Sequence, residues 1–239
     1  MMKISPFSSK QVANPLTFYD LLNEENTQLK EVSFLKLRII FCVLLITLIP
    51  SPAKGNSVEL SENLPAFPDI DGHWAQTYIE SLNEKQIING KINGKFSPED
   101  QVTRAQFTAM LVRILQLTPV NANYFDDVSG PLQNEISAAY EAGIIKGITP
   151  KRFAPNRNIT REQMAVMLFR TYNILHNTYY QTFITAPYKD HRHIHFKKEV
   201  NAIYQLRLMT GTNQGEFRPK QTATRAQAAK TVYLLGGEE

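Results

Sequence analysis

Three stretches of this sequence repeat one pattern of residues, and this internal repetition limits the possible folds more than any other feature. Each stretch opens with an aromatic residue and an aspartate, continues to an apolar pair that is followed one residue later by glycine, and reaches a Phe-x-Pro segment. Each then has a Thr-Arg dipeptide, at residues 103–104, 160–161 and 224–225. Because the spacing from the apolar pair to this dipeptide has no gap in any copy, we expect the copies to fold alike.

Apolar residues within each copy have the spacing of amphipathic helices. In the first copy one helical face carries Trp74, Tyr78, Ile79 and Leu82. Gly90 then predicts a left-handed backbone turn. A second helix is predicted to begin at Thr103, and its apolar face carries Phe107, Met110, Leu111 and Ile114. The sequence therefore predicts an all-α fold of three tandem helix-loop-helix repeats.

The Thr-Arg-x-Gln segment has the form of a helix capping box, in which a Thr N-cap and a Gln three residues later exchange hydrogen bonds with the backbone. The three boxes pair Thr103 with Gln106, Thr160 with Gln163, and Thr224 with Gln227. Each helix start is predicted to have free N–H groups, and each carries an arginine in its first turn, where the helix dipole disfavours a cation. We therefore expect these helix ends to suit an anion.

Composition excludes several classes of function. With 43% hydrophobic residues the chain can bury an ordinary core, and its net charge of +4 is too weak and too evenly spread to indicate a nucleic-acid-binding protein. No catalytic triad, nucleotide loop or zinc motif stands out, and the repeats occupy the chain after its N-terminal region. We therefore expect no enzyme activity, no cofactor and no metal.

An apolar run from Ile39 to Ile49, which contains the only cysteine, has the features of a secretory signal. Lys36 and Arg38 precede it, and Ser51 and Ala53 follow at the −3 and −1 positions of a cleavage site. The run is too short to cross a bilayer as a helix. A buried core helix is the alternative. Because the stretch before it is longer than is usual for a signal, we expect either a translation start further along the chain, which we favour, or an uncleaved anchor.

These residues closely resemble the S-layer homology family, whose pattern has a Phe-x-Asp opening, a His-Trp-Ala helix start, a Gly-x-Phe-x-Pro loop and an Ile-Thr-Arg-Ala-Glu helix start. The likeness covers about Phe67 to Leu235. It implies three repeats in a pseudo-threefold arrangement around a central three-helix bundle. It also implies that grooves between repeats bind cell-wall polysaccharide, which in known cases bears a pyruvate ketal. The Thr-Arg-x-Gln form resembles that of cyanobacterial members.

The resemblance links the arginine of this motif to the acidic sugar. A planar guanidinium can hold a carboxylate through two N–H groups, which lysine cannot reproduce. The expected ligand-binding residues are Arg104, Arg161, Arg225, Trp74, Asp69, Asp127, Asp190, Gly90, Gly147, Gly211, Thr103 and Gln106.

Each kind of residue in this set also has a purely structural interpretation. The arginines would then be surface residues in ion pairs, and Trp74 would be a core residue rather than a surface on which a sugar stacks. The aspartates would cap or orient the turn before a helix. The glycines would serve backbone turns rather than the close approach of a glycan.

The copies differ where the site is expected. Leu132 and His195 stand near the place of Trp74, and Lys151 replaces the glycine found at 94 and 215. We therefore expect the groove served by the first repeat to be the most complete.

Two further segments invite other functions. His191, His193 and His195 alternate, so an extended strand would place three imidazoles on one face, as in zinc or copper sites. No carboxylate or cysteine completes such a site, and the repeat pattern makes the segment a turn that enters a helix. The insertion at 172–187, at the end of the second repeat, contains Tyr179, Tyr180 and Phe183, which either pack within their own loop or contact a sugar or a protein partner.

The predicted organisation is an N-terminal extension with signal peptide at 1–53, a linker at 54–66, and repeats at 67–121, 122–187 and 188–239. We expect an exported protein of the periplasm or cell envelope that binds an acidic, peptidoglycan-linked polysaccharide. Other envelope proteins are a further class of partner, nucleic acid is not, and membrane contact is limited to the signal segment. The alternative is a structural or assembly protein whose repeats make protein-protein contacts.

Overall fold

The computed structural model describes residues 65–237, so the predicted signal segment lies outside the described residues. Within this range the chain forms two short 3-10 turns and six α-helices, and its only β-pairing is in isolated bridges. The helices are α1 (Gln76–Glu84), α2 (Arg104–Ile114), α3 (Gln133–Glu141), α4 (Arg161–Leu175), α5 (Lys197–Gln205) and α6 (Arg225–Leu235). The predicted helix-loop-helix repeats are confirmed. Among these helices, none has the length and apolarity needed to span a membrane.

The second helix of each repeat begins at the capping box that the sequence predicts. Thr103 Oγ1 accepts a hydrogen bond from Gln106 N at 3.2 Å, and Gln106 Oε1 accepts one from Thr103 N at 3.0 Å. The same reciprocal pair is present at Thr160 and Thr224. Because each box satisfies two backbone donors, it stabilises a helix start at that residue by ~1 kcal/mol.

The helices pack mainly across the repeat boundaries. The second helices, α2, α4 and α6, contact one another in pairs and are buried along most of their length. Each first helix lies against the second helix of the repeat before it: α3 on α2, α5 on α4, and α1 on α6. These contacts close a cycle through the three repeats. The pseudo-threefold arrangement itself stays a prediction, which this cyclic order supports.

A ring of three backbone hydrogen bonds joins the segments that precede the second helices. Val102 N donates to Ala223 O at 3.0 Å, Ile159 N donates to Val102 O at 3.0 Å, and Ala223 N donates to Ile159 O at 3.1 Å. All three residues are fully buried. An unpaired backbone group in such a place would cost about 1–3 kcal/mol, so the ring favours association of all three repeats.

Two local predictions about aromatic segments are wrong. Trp74 lies before α1 and is 54% exposed, so it is neither helical nor a core residue. Its neighbour Ala75 takes the buried position at this helix start instead. The insertion predicted at 172–187 begins as helix, because α4 continues to Leu175.

Candidate functional site

Three surface grooves of one construction lie between the repeats. In each groove one repeat contributes its turn and its second helix. The preceding repeat in the cycle contributes an arginine, and the following repeat contributes a residue just before its first helix. We name them by their turns: groove A (87–93), groove B (145–148) and groove C (208–212). Their cavity volumes are about 640, 370 and 520 Å³ respectively.

The three motif arginines are buried and bind backbone carbonyls of the next repeat. Arg104 Nε donates to Phe153 O at 2.9 Å, and its Nη2 donates to Lys146 O at 3.2 Å. Its guanidinium carbon also lies 4.5 Å from the centroid of the Phe153 ring. Burial lowers the pKa of the Arg104 guanidinium, which stays charged because its ordinary pKa is so high.

The other two arginines make equivalent contacts in the same cyclic order. Arg161 donates to Phe217 O at 2.8 Å and to Thr210 O at 2.7 Å. Arg225 donates to Phe96 O at 2.8 Å and to Asn89 O at 3.0 Å. These arginines are therefore neither surface residues nor members of ion pairs. They line the grooves with part of the guanidinium already engaged, and their predicted role in ligand binding stays a prediction.

The helix N-termini do not have the free N–H groups that the sequence predicts. Arg104 N donates to Arg157 O at 2.9 Å, and Ala105 N donates to Pro155 O at 3.0 Å. Both acceptors belong to the next repeat, and Thr103 Oγ1 takes the third N–H, that of Gln106. The starts of α4 and α6 have the corresponding bonds. The expectation of an anion bound directly to these helix ends is therefore wrong, because the neighbouring repeat occupies the donors.

The predicted aspartates fasten the Phe-x-Pro loops. Asp127 Oδ1 and Oδ2 accept hydrogen bonds from Phe153 N and Ala154 N, both at 2.8 Å. Ala154 has a left-handed φ of 60°, a strained conformation that the carboxylate holds in place. Asp69 and Asp190 bind their own loops in the same way. None of the three aspartates lines groove A, B or C.

The predicted glycines line the grooves, but not as left-handed turns. The left-handed residue after each first helix comes earlier, at Gln86, Gly143 and Arg207, where it ends the helix. Gly147 is required for space instead: an added Cβ would lie 2.8 Å from both Arg152 O and Phe125 Cε1. At Gly90 and Gly211 the aromatic residues that open their repeats, Phe67 and Tyr188, likewise leave no space for a Cβ.

Trp74 and the motif arginines meet in a combination that the sequence does not reveal. Trp74 lies in groove C with Arg161 and the turn of the third repeat, and not with Arg104. Leu132 and Phe196 line grooves A and B from the following repeat. In helix register they align with Ala75, the residue before the first helix, whereas His195 aligns with Trp74. The first-repeat residues Gly90, Arg104 and Trp74 therefore lie in three different grooves, A, B and C respectively, so the expectation of one complete first-repeat groove is wrong.

The histidine segment is the predicted turn and not an extended strand. His191–His193 forms a 3-10 turn. Just after this turn, His195 N donates a hydrogen bond to Glu162 Oε1 at 2.5 Å. Residues 65–237 contain no group of three or more potential ligands that could hold a metal ion. In the insertion, Tyr180 packs on Tyr172 at 5.7 Å between ring centroids, whereas Tyr179 is 95% exposed.

Comparison with known proteins agrees with this repeat architecture. The profile of the S-layer homology domain matches residues 66–108, 124–165 and 187–229. These matches begin beside the predicted repeat starts at 67, 122 and 188, and the exact boundaries stay predictions.

Several curated proteins are similar over most of the chain. An endoglucanase from Bacillus sp. (strain KSM-635) is 43% identical over 81% of this chain and 21% of its own length. The exoglucanase XynX from Acetivibrio thermocellus is 34% identical over 80% of this chain and 17% of its own length. The S-layer protein sap from Bacillus anthracis is 34% identical over 70% of this chain and 20% of its own length. The chain spans about a fifth of these relatives, so their names describe much longer proteins.

Proposed function

Because the chain belongs to the S-layer homology family, we propose that it is a non-catalytic module that attaches to the cell envelope by binding an acidic, peptidoglycan-linked polysaccharide in its inter-repeat grooves. This proposal includes export through the predicted signal segment and a location in the periplasm or at the wall. Relatives named S-layer protein support an envelope location. The relatives with enzyme names share only about a fifth of their length with it.

One observation carries the choice of an acidic ligand. Among the described residues, no aspartate or glutamate lines groove A, B or C, whereas each groove is lined by several basic side chains. A concave surface with charge of one sign attracts a ligand of the opposite sign. A pyruvate ketal would supply one carboxylate per modified sugar, and that carboxylate is the chemical feature we assign to the ligand.

The arginines contribute to this function in two ways. Their Nε and Nη2 groups hold the turn that forms one groove wall, through carbonyls such as Lys146 O and Phe153 O. Their charge adds to the positive potential of the groove. Gln106 also has two roles. Its Oε1 accepts the capping-box hydrogen bond from Thr103 N, and its side-chain NH₂ remains available to donate to a ligand in groove A.

Sedimentation with purified wall sacculi tests the proposal. We expect the chain to sediment with untreated sacculi and to stay in solution after ketal-linked pyruvate has been removed by mild acid. Sacculi treated with acid and then chemically re-pyruvylated are the matched control. Binding that survives removal would defeat the carboxylate mechanism, and failure to bind untreated sacculi would defeat wall attachment itself.

A second candidate function is protein-protein contact within the envelope. The observation that favours it is the exposure of Tyr179 and Phe183, at 95% and 91%, because large aromatic side chains are enriched at interfaces. Cross-linking in isolated envelopes tests it. Loss of a specific cross-linked protein in the double variant Tyr179→Ala, Phe183→Ala, with wall sedimentation unchanged, would support this function.

A further inference from the structure

The three grooves share a plan, but they differ at the positions that decide their charge and their stacking surface. From these differences we infer that groove C is the site at which the chain holds its anionic saccharide, with one ligand bound per chain. The inference rests on the proposed function and goes beyond it, because it selects one groove and names the residues that distinguish it.

The first difference is a glutamate of the following repeat that lies near a lining arginine of grooves A and B and has no counterpart at groove C, where the lining residue Arg218 pairs with Glu216 of its own repeat instead. In groove A, Arg113 Nε donates to Glu135 Oε1 at 2.8 Å. In groove B, burial lowers the pKa of Arg170 while the nearby Glu199 acts in the opposite direction. Both glutamates belong to the first helix of the next repeat and directly precede its first buried residue.

Groove C replaces both partners of this pair with uncharged residues. Tyr78 stands where Glu135 and Glu199 stand, and Leu234 stands where the second helix carries arginine in grooves A and B. Tyr78 packs on Tyr233, with 5.0 Å between ring centroids. Groove C therefore lacks the glutamate that stands at this position beside grooves A and B.

The second difference is the number of basic side chains that have no internal partner. Lys230 occupies the place of Ala109 and Val166, and it lines groove C together with Arg207. Within residues 65–237 neither Lys230 nor Arg207 forms a hydrogen bond or an ion pair with another side chain. The positive charge of these two residues is therefore available to a ligand.

The other grooves offer less unpaired charge. In groove A, Lys91 forms an ion pair with Asp100. Groove B has one lysine without an ion pair in the described part of the chain, Lys146, but no counterpart of Lys230. Groove C is therefore the most favourable of the three for an anion.

The third difference is the surface on which a sugar ring can stack. Trp74 in groove C is 54% exposed, whereas the residue that the following repeat contributes to groove A is the aliphatic Leu132. The His73 ring lies 5.4 Å from the Trp74 ring, and its Nε2 is 3.0 Å from Glu99 Oε1, so the indole rests against a held neighbour. An indole presents a large apolar face beside a polar edge, which suits the CH face and hydroxyls of a sugar.

Together these features define the ligand of groove C as a saccharide unit that has one exposed apolar ring face and one carboxylate. The ring face lies on Trp74, and the carboxylate meets Lys230 and Arg207. Groove B has the nearest alternative, since Phe196 is 46% exposed there and Lys146 is close by. Matched substitutions in grooves B and C therefore separate the two sites.

The chain contains a built-in reporter for this inference, because Trp74 is its only tryptophan. Acidic oligosaccharide released from sacculi is titrated into the chain while tryptophan emission and calorimetric heat are followed in parallel. We expect both signals to give the same Kd and a stoichiometry of one. Lys230→Ala should weaken binding about tenfold, as expected for loss of one charge-assisted contact. Lys146→Ala and Phe196→Ala in groove B should change the Kd by less than about twofold.

Each contrary outcome has a separate meaning. Calorimetric binding with no change in Trp74 emission, or equal weakening by Lys146→Ala and Lys230→Ala, would overturn the choice of groove C and leave wall binding intact. No calorimetric binding at all would overturn the proposed function as well. Thermal unfolding followed by circular dichroism verifies that the variants are folded, which we expect because both lysines and Phe196 lie at the surface.

Discussion

Arg225 donates its Nε–H to the backbone oxygen of Phe96, 2.8 Å away, and thereby joins the last repeat to the first. The same arginine donates the N–H of its backbone to Asp100 O at 2.8 Å. Its guanidinium carbon lies 4.3 Å from the centroid of the Phe96 ring. Arg225 thus joins the third repeat to the first through its backbone N–H, its side-chain N–H groups and the face of its guanidinium group. The motif arginines are part of the framework before they are part of any ligand site.

Replacing this arginine should destabilise the whole repeat unit. Arg225→Ala removes two charge-assisted hydrogen bonds and leaves the carbonyls of Phe96 and Asn89 without that partner, so we expect the free energy of unfolding to fall by about 3 kcal/mol. Urea denaturation measures the change. Arg157→Ala, at an exposed arginine, is the matched control and should cost less than about 0.5 kcal/mol. Equal stability of the two variants would contradict the framework role.

The loop aspartates should make stability depend on acid pH. Desolvation acts to raise the pKa of Asp127, but hydrogen bonds from Phe153 N and Ala154 N outweigh it and lower the pKa below 3.8. The native state then binds fewer protons than the unfolded state. The contribution of this carboxylate to stability is therefore full above pH 3.8 and is lost as the pH falls through the lowered native value.

Asp127→Asn should remove part of that dependence. We expect the variant to be less stable than the parent chain at pH 7. We also expect it to lose less stability as the pH falls from about 5 through the lowered pKa of Asp127. Thermal unfolding at a series of pH values gives both quantities. If the variant and the parent chain have parallel pH profiles, Asp127 does not carry this linkage.

Two glycines should respond to alanine for different reasons. At Gly147 an added Cβ would meet Arg152 O and Phe125 Cε1 at 2.8 Å, so we expect Gly147→Ala to cost about 1–3 kcal/mol through overpacking. Gly94 has a left-handed φ of 75° and open space around its Cβ position, so Gly94→Ala should cost only about 1 kcal/mol. Urea denaturation compares the two, and a larger loss at Gly94 would contradict the packing role of Gly147.

Wall binding should weaken as the salt concentration rises. If a carboxylate is held by the half-buried Lys230 and the exposed Arg207, screening reduces the attraction once the Debye length falls from about 10 Å at 0.1 M to about 3 Å at 1 M. Sedimentation with sacculi at both concentrations, using NaCl, measures the effect. Binding that is equal at both salt concentrations would point to stacking and hydrogen bonding without a charge contribution.

The local structure of this chain follows from local sequence signals, and the contacts between repeats do not. The capping boxes and helical spacing predict all second helices, because a Thr N-cap and a Gln at N3 act within four residues. The acceptors of Arg104 lie 42 and 49 residues further along, in another repeat. A repeated sequence does not state whether a loop packs on its own helix or on a neighbour's.

The failed predictions about the site have the same origin. The helix N-termini lost their free N–H groups to carbonyls such as Pro155 O, which no local rule places there. Phe196 was not predicted as a groove residue because it aligns with the buried Ala75 and not with Trp74, although its aromatic side chain next to a helix start was a usable signal. Lys230 was visible only as a break in an apolar column, where Ala109 and Val166 stand in the other copies.

The ring of backbone bonds through Val102, Ile159 and Ala223 limits how a protein of this kind can evolve. An open array of repeats can grow by duplication of one unit, because the terminal repeat has a free stacking surface on which an added repeat can pack. In this ring every N–H and every C=O already has its partner. A single extra copy would have no free backbone group in this ring to pair with, whereas a complete set of three could form a second ring.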